Sequence, residues 1–146
     1  MQRMNMAEAA PEVYKGWVAA EIAIINGPLD ATVRHLVKLR VSQLNGCLYC
    51  IDMHTDEARK AGETDLRLAH LTAWWESAQF TGTEKAALDY AEAATRLDRQ
   101  GVTDEVWAAV EKHFDEGERA GLVAVTAQIN MWNRLGVPLH MEPLHH

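Results

Sequence analysis

Cysteine is nearly absent from this chain of 146 residues: there are two, Cys47 and Cys50, three positions apart. No framework of structural disulfides can be built from them. At this length none is needed, because the chain can bury a sizeable core without staples or metals. Basic residues are also scarce, 14 Lys and Arg against 21 Asp and Glu, for a net charge of -7. That balance argues against a nucleic-acid partner, since neutralising a phosphate backbone takes clustered Lys and Arg. No uninterrupted apolar stretch approaches the roughly 18 residues that span a bilayer, so no membrane partner is expected. Met1 to Pro11 also lack the basic region and following apolar run of a secretory signal. The expectation is a cytoplasmic protein. In that compartment a close cysteine pair is more often catalytic or metal-binding than structural.

What is present reads as helix almost throughout. The composition, 48% hydrophobic and 24% charged, is that of an ordinary globular protein. Pro11 suits the first turn of a helix through Ile22 that ends at Gly27-Pro28. Asp30 caps a second, which runs through Val33, Leu36, Val37 and Leu44 to the stop signal Asn45-Gly46. A third begins at about Cys47 and ends at Gly62. Thr64 caps a short fourth with Leu66, Leu68 and Leu71 as core candidates, and Thr83 to Leu88 open a fifth rich in Ala and Glu. Thr103 caps a sixth, with Asp104 and Glu105 favourable to its dipole. The last, from about Glu116 to Leu135, is apolar nearly all round and is expected to be buried in the core or in a subunit contact. Trp74 and Trp75 point about 100° apart on a helix, so both are not expected in one core. There is no convincing strand pair, internal repeat, low-complexity tract or linker. The predicted fold is all-α, a single-domain bundle of about six to seven helices over residues 1–146, with the cysteines at the N-terminus of a central helix.

The chemistry concentrates in Cys47-Leu48-Tyr49-Cys50-Ile51-Asp52-Met53-His54. Spacings of three and four place Cys47, Cys50 and His54 within an arc of about 60° on one helix face. A c-type haem attachment needs histidine directly after the second cysteine, where Ile51 stands. A structural zinc site wants four ligands, usually in two pairs, and there is no second cysteine pair. The extra ligands on offer, His140, His145 and His146, read as a solvated tail. A thiolate is favoured at a helix N-terminus, which points to Cys47, and beside a base, which points to Cys50 one turn from His54. These arguments leave the attacking sulfur open. Either sulfur could attack a peroxide oxygen, become a sulfenic acid, condense with its neighbour to a disulfide and be reset by an external dithiol. The plainer alternative is two small buried hydrophobes.

The segment from Leu36 to His54, followed by Glu57-Ala58-Arg59-Lys60-Ala61-Gly62-Glu63, resembles the AhpD-like alkylhydroperoxidase branch of the carboxymuconolactone decarboxylase family. Weaker similarity extends over most of the chain, including Ala10 to Tyr14 and Glu84 to Glu92. The resemblance implies an all-helical fold assembling as trimers or hexamers. It also implies an enzyme, a thiol peroxidase of the alkylhydroperoxidase type, with no metal and no prosthetic group. Its substrate would be hydrogen peroxide or an organic hydroperoxide, and its reductant an external dithiol on a lipoyl or thioredoxin-like protein. By the same resemblance Cys50 attacks the peroxide, Cys47 is its disulfide partner and His54 belongs to a proton relay.

One position departs from the family pattern, which commonly has a glutamate twelve residues before the first motif cysteine. Here that residue is His35. His35 can still accept a proton near neutral pH, in a relay from Cys50 through His54 to His35. It lacks a fixed negative charge, so the relay is expected to be weaker or differently tuned by pH. Glu21 reads as a surface glutamate and Arg40 as a surface or interface salt bridge. Tyr49 and Met53 could line a peroxide pocket but at helical spacing read as core, Asp52 and Asp56 as solvated acids, and His70 and His113 receive no role. Two other functions stand beside the peroxidase: a redox switch or disulfide-exchange protein, and a lactone decarboxylase, which the cysteine pair argues against.

Overall fold

The computed structural model describes residues 1–145, so His146 lies outside the described residues. Eight α-helices and one 3-10 turn form, with no strand among the described residues: α1 (Met6–Ala9), α2 (Pro11–Ile25), α3 (Ala31–Asn45), α4 (Leu48–Lys60), α5 (Asp65–His70), the turn Leu71–Ala73, α6 (Gly82–Arg96), α7 (Asp104–His113) and α8 (Glu116–Gly136). Short oxygen-bearing side chains start six of the eight. Asp30 Oδ1 accepts from Val33 N at 3.2 Å, and Thr64 and Thr103 do the same for α5 and α7. Thr81 with Glu84, and Asp115 with Glu118, close reciprocal capping boxes. Each cap contributes about 1 kcal/mol at the point where the chain must turn into a helix. The helix unforeseen from sequence is α1, a single turn capped by Asn5 and too short to show a periodicity.

The core forms around α3, which packs against α4, α6 and α8. Val33, Val37 and Val41 meet Leu122, Val125 and Ile129 of α8 and Ala87 and Ala91 of α6. Leu36 and Leu39 enter a second cluster with Leu71, Trp74, Phe80 and Leu88. Burying each of these branched side chains contributes about 1.5–3 kcal/mol, so α3 is the element the fold can least lose.

Four expectations are corrected. α8 is buried along one stripe rather than all round: Leu122, Val125 and Ile129 are covered, Val123 is exposed, and the stripe includes polar Thr126 and Asn133. Leu66 is exposed, while Leu71 is fully buried. Arg40 is a buried ion partner, its Nε donating to Glu92 Oε1 at 2.6 Å, and Trp74 Nε1 donates to the same oxygen at 2.8 Å. Glu21 is held inside an ion pair with Lys38 and accepts from Trp132 Nε1 at 3.1 Å. Trp74 is buried and its neighbour Trp75 is 52% exposed, so the two do not share one core, although they lie in the turn after Leu71–Ala73 rather than on a helix. On α2 no residue is buried, and Val13, Ile22 and Ile25 stand exposed.

Candidate active site

Gly46 creates the site by ending α3 in one residue. Its φ of +66° is a left-handed conformation that costs a glycine nothing, and Cys47 N donates back to Ser42 O at 3.1 Å. The reversal makes Cys47 the N-cap of α4, where its sulfur accepts from Cys50 N at 3.4 Å. The two sulfurs are joined in a disulfide with Cα atoms 5.3 Å apart. Both cysteines are buried, at 1% and 2% exposure.

The end of α8 lies directly over them. A Cβ on Gly136 would sit 2.5 Å from Cys47 Sγ and 3.3 Å from Cys50 Sγ, so only glycine permits this approach. A polar bracket holds α8 in register one turn earlier. Asn133 Nδ2 donates to Ser42 Oγ at 3.1 Å, Asn133 Oδ1 accepts from Asn45 Nδ2 at 2.9 Å, and Ser42 Oγ donates to Lys38 O at 2.7 Å. Buried polar groups satisfied in this way orient the helices they join.

The sulfurs differ in access. A cavity of about 480 Å³ is lined by Cys50 but not by Cys47. His54, one turn further along α4, lines it too, as do Tyr49 and Met53, for which the sequence left pocket lining open while their spacing favoured the core. Four methionines, Met4, Met6, Met53 and Met141, contribute to its apolar wall. The segments around α1 and after α8 meet across it, where Arg3 N donates to Leu139 O at 2.8 Å.

His54 is buried, and its Nδ1 lies 2.9 Å from Glu57 Oε2. With Nδ1–H donating to the carboxylate, Nε2 carries the lone pair; that nitrogen is buried without a protein partner. The hydrogen bond from His54 holds the Glu57 carboxyl below its ordinary range, against the opposing effect of partial burial. Glu57 was missed as a site residue although its spacing of three from His54 on one helix was readable. It supplies the fixed negative charge that position 35 lacks.

His35 lines the same cavity from α3, between Arg34 and Lys38 in sequence, and its Nδ1 is also buried without a partner. Burial, reinforced by the charge of Arg34 and then of Lys38, holds its pKa below the ordinary 6.5. The structure therefore gathers Cys50, His54 and His35 around one cavity, with Cys47 behind Cys50. His70, His113, His140 and His145 do not line the cavity. His70 meets Ser77, His113 meets Thr83, and His145 Nδ1 meets Asp52 at 2.8 Å.

The model of the carboxymuconolactone decarboxylase family matches residues 11–93, which include α2, α3 and the whole cysteine helix. The uncharacterized protein YdfG of Bacillus subtilis is 42% identical over 138 residues, 94% of each chain. The crystal structure of ATU0492 from Agrobacterium tumefaciens, a protein of unknown function described as a candidate antioxidant defence protein AhpD, superposes over 100% of both chains with a TM-score of 0.95 and 32% identity. The debrominase Bmp8 shares the fold alone, at a TM-score of 0.84 and 14% identity over 94% of this chain and 74% of its own.

Proposed function

We propose a thiol peroxidase from a firm premise: the chain belongs to the carboxymuconolactone decarboxylase family, in its AhpD-like branch. The single observation that carries the reading is that Cys50, and not Cys47, lines the cavity it shares with His54. In the reduced protein, His54 Nε2 takes the Cys50 thiol proton while Glu57 fixes the imidazole through Nδ1. The thiolate attacks the terminal peroxide oxygen, the O–O bond breaks, and the proton goes to the departing alkoxide, giving an alcohol and a Cys50 sulfenic acid. Cys47 thiol then displaces water to form the disulfide. An external dithiol, oxidised to its own disulfide, restores both thiols. We also propose that α2, none of whose residues is fully buried and which leaves Val13, Ile22 and Ile25 exposed, is covered by further copies in a homo-oligomer.

The test is titration of both thiols in the reduced protein before and after one equivalent of an organic hydroperoxide. Rapid loss of both, recovered by dithiol, is the expected result; thiols that survive long exposure would remove the reading. Cys50→Ser should abolish the reaction. Cys47→Ser should retain one oxidation and accumulate a sulfenic acid that dimedone traps.

A redox switch is favoured as second reading by one contact, the seat of Cys47 Sγ under Gly136, which ties the sulfurs to α8. It predicts slow peroxide consumption with a change in hydrogen exchange along α8 between oxidised and reduced protein.

A further inference from the structure

Three helix-α3 cations are buried, Arg34, Lys38 and Arg40, and two of them have a carboxylate: Lys38 has Glu21 and Arg40 has Glu92. Arg34 has none among the described residues. It is 8% exposed, its guanidinium makes one hydrogen bond, from Nη1 to Ile25 O at 3.3 Å, and its Nε is buried without a partner. Leaving a guanidinium out of water and without an anion is costly, and proteins ordinarily supply the counter-charge. Arg34 lines the same cavity as Cys50 and His54. Of the four buried side-chain nitrogens without a partner among the described residues, three belong to this wall: Arg34 Nε, His35 Nδ1 and His54 Nε2. The two carboxylates of the cavity are already engaged, Glu21 by Lys38 and Trp132, and Glu57 by His54.

We propose that this cavity binds an organic hydroperoxide that carries a carboxylate, with the carboxylate on Arg34 and the peroxide group at Cys50 and His54. The proposal rests on the peroxidase reading of the same site and names its substrate class. A planar guanidinium with a free edge matches a carboxylate in two parallel hydrogen bonds. One unpaired cation balances a singly charged group, whereas a phosphate monoester brings nearly two charges. The body of the ligand is set by the rest of the wall: Met4, Met6, Ile25, Trp132, Leu135 and Leu139 are apolar, and about 480 Å³ suits a medium-length chain rather than hydrogen peroxide alone.

The experiment compares kcat/KM for a medium-chain hydroperoxy acid with that for its methyl ester, in the wild-type protein and in Arg34→Gln. A charged hydrogen-bonded pair predicts an acid-to-ester ratio of about 10 or more in the wild type, falling toward one in the variant. A ratio near one in the wild type overturns the proposal, and so does a ratio unmoved by Arg34→Gln. If Arg34→Gln does not fold, Arg34→Lys, which keeps the charge and loses the fork, should lower the ratio part of the way; an unchanged ratio there overturns it as well. If neither peroxide is consumed, the peroxidase reading fails on its own, and calorimetric titration with the unreactive hydroxy acid and hydroxy ester decides the anion site. About tenfold tighter binding of the acid, lost in the variant, upholds it, and equal binding overturns it. A change in sedimentation of Arg34→Gln with an unaltered acid preference assigns Arg34 to subunit contact and overturns the proposal.

Discussion

Glu57 is the side chain on which the proposed relay turns, because it decides which nitrogen of His54 faces the sulfur. Replacing it with Gln keeps the shape and removes the fixed charge. By analogy with partners that orient ligand histidines, peroxide-dependent thiol oxidation should slow about 10- to 100-fold, measured by rapid mixing. Because its carboxyl is held below the ordinary range, Glu57 stays ionised throughout the neutral and mildly acidic range, so this loss should persist across it. His35 makes a different forecast. Its folded pKa lies below 6.5, so between those two values the unfolded chain binds the proton and the folded chain does not. Stability therefore rises with pH through that window, and is lost as pH falls below about 6.5 toward the folded value. Thermal unfolding followed against pH should show this slope in the wild type and lose it in His35→Gln. The reciprocal change, His35→Glu, should alter the peroxidase pH profile; an unaltered rate and profile would take His35 out of the relay.

At the scale of elements, two glycines act where helices meet. Gly46 lets α4 begin with only Gly46 and Cys47 between it and α3, and Gly46→Ala, forced to keep φ at +66°, should cost about 1–2 kcal/mol. Gly136→Ala drives a methyl group into Cys47 Sγ, and overpacking of that kind typically costs about 1–3 kcal/mol. Gly16 is the control: it lies in the exposed helix α2, where an added methyl group would meet nothing within 4 Å, and Gly16→Ala should stabilise by about 0.4–1 kcal/mol. Urea unfolding of the three variants measures all of this in one series. The Gly46 turn was legible in sequence because Asn45-Gly46 is a local stop signal. Gly136 was not, because Cys50 is 86 positions away and Cys47 further still, and no local pattern encodes the approach.

At the scale of the molecule, the same distinction separates what could be read from what could not. Helix ends followed from Asp30, Thr64, Thr103 and Pro11, which act on the adjacent turn. The cavity did not, because α2, α3, α4, the end of α8 and both terminal segments each supply only part of its wall. Arg34 illustrates the point: in sequence it is one arginine on a helix, and only the packing reveals that it has no counter-charge among the described residues. The exposed apolar residues of α2 carry the forecast for assembly. Ile22→Glu places a charge in that face and should shift the protein toward monomer in analytical ultracentrifugation, with helicity retained. The methionine lining has its own consequence. Under the proposed peroxidase function, a chamber lined by Met4, Met6, Met53 and Met141 would expose four thioethers to the same oxidant as Cys50. Each conversion to sulfoxide would turn an oily wall polar and give such a catalyst a finite working life: activity should decay with cumulative turnovers rather than with time, in step with one-oxygen mass gains on peptides holding these residues, and methionine sulfoxide reductase should rejuvenate it.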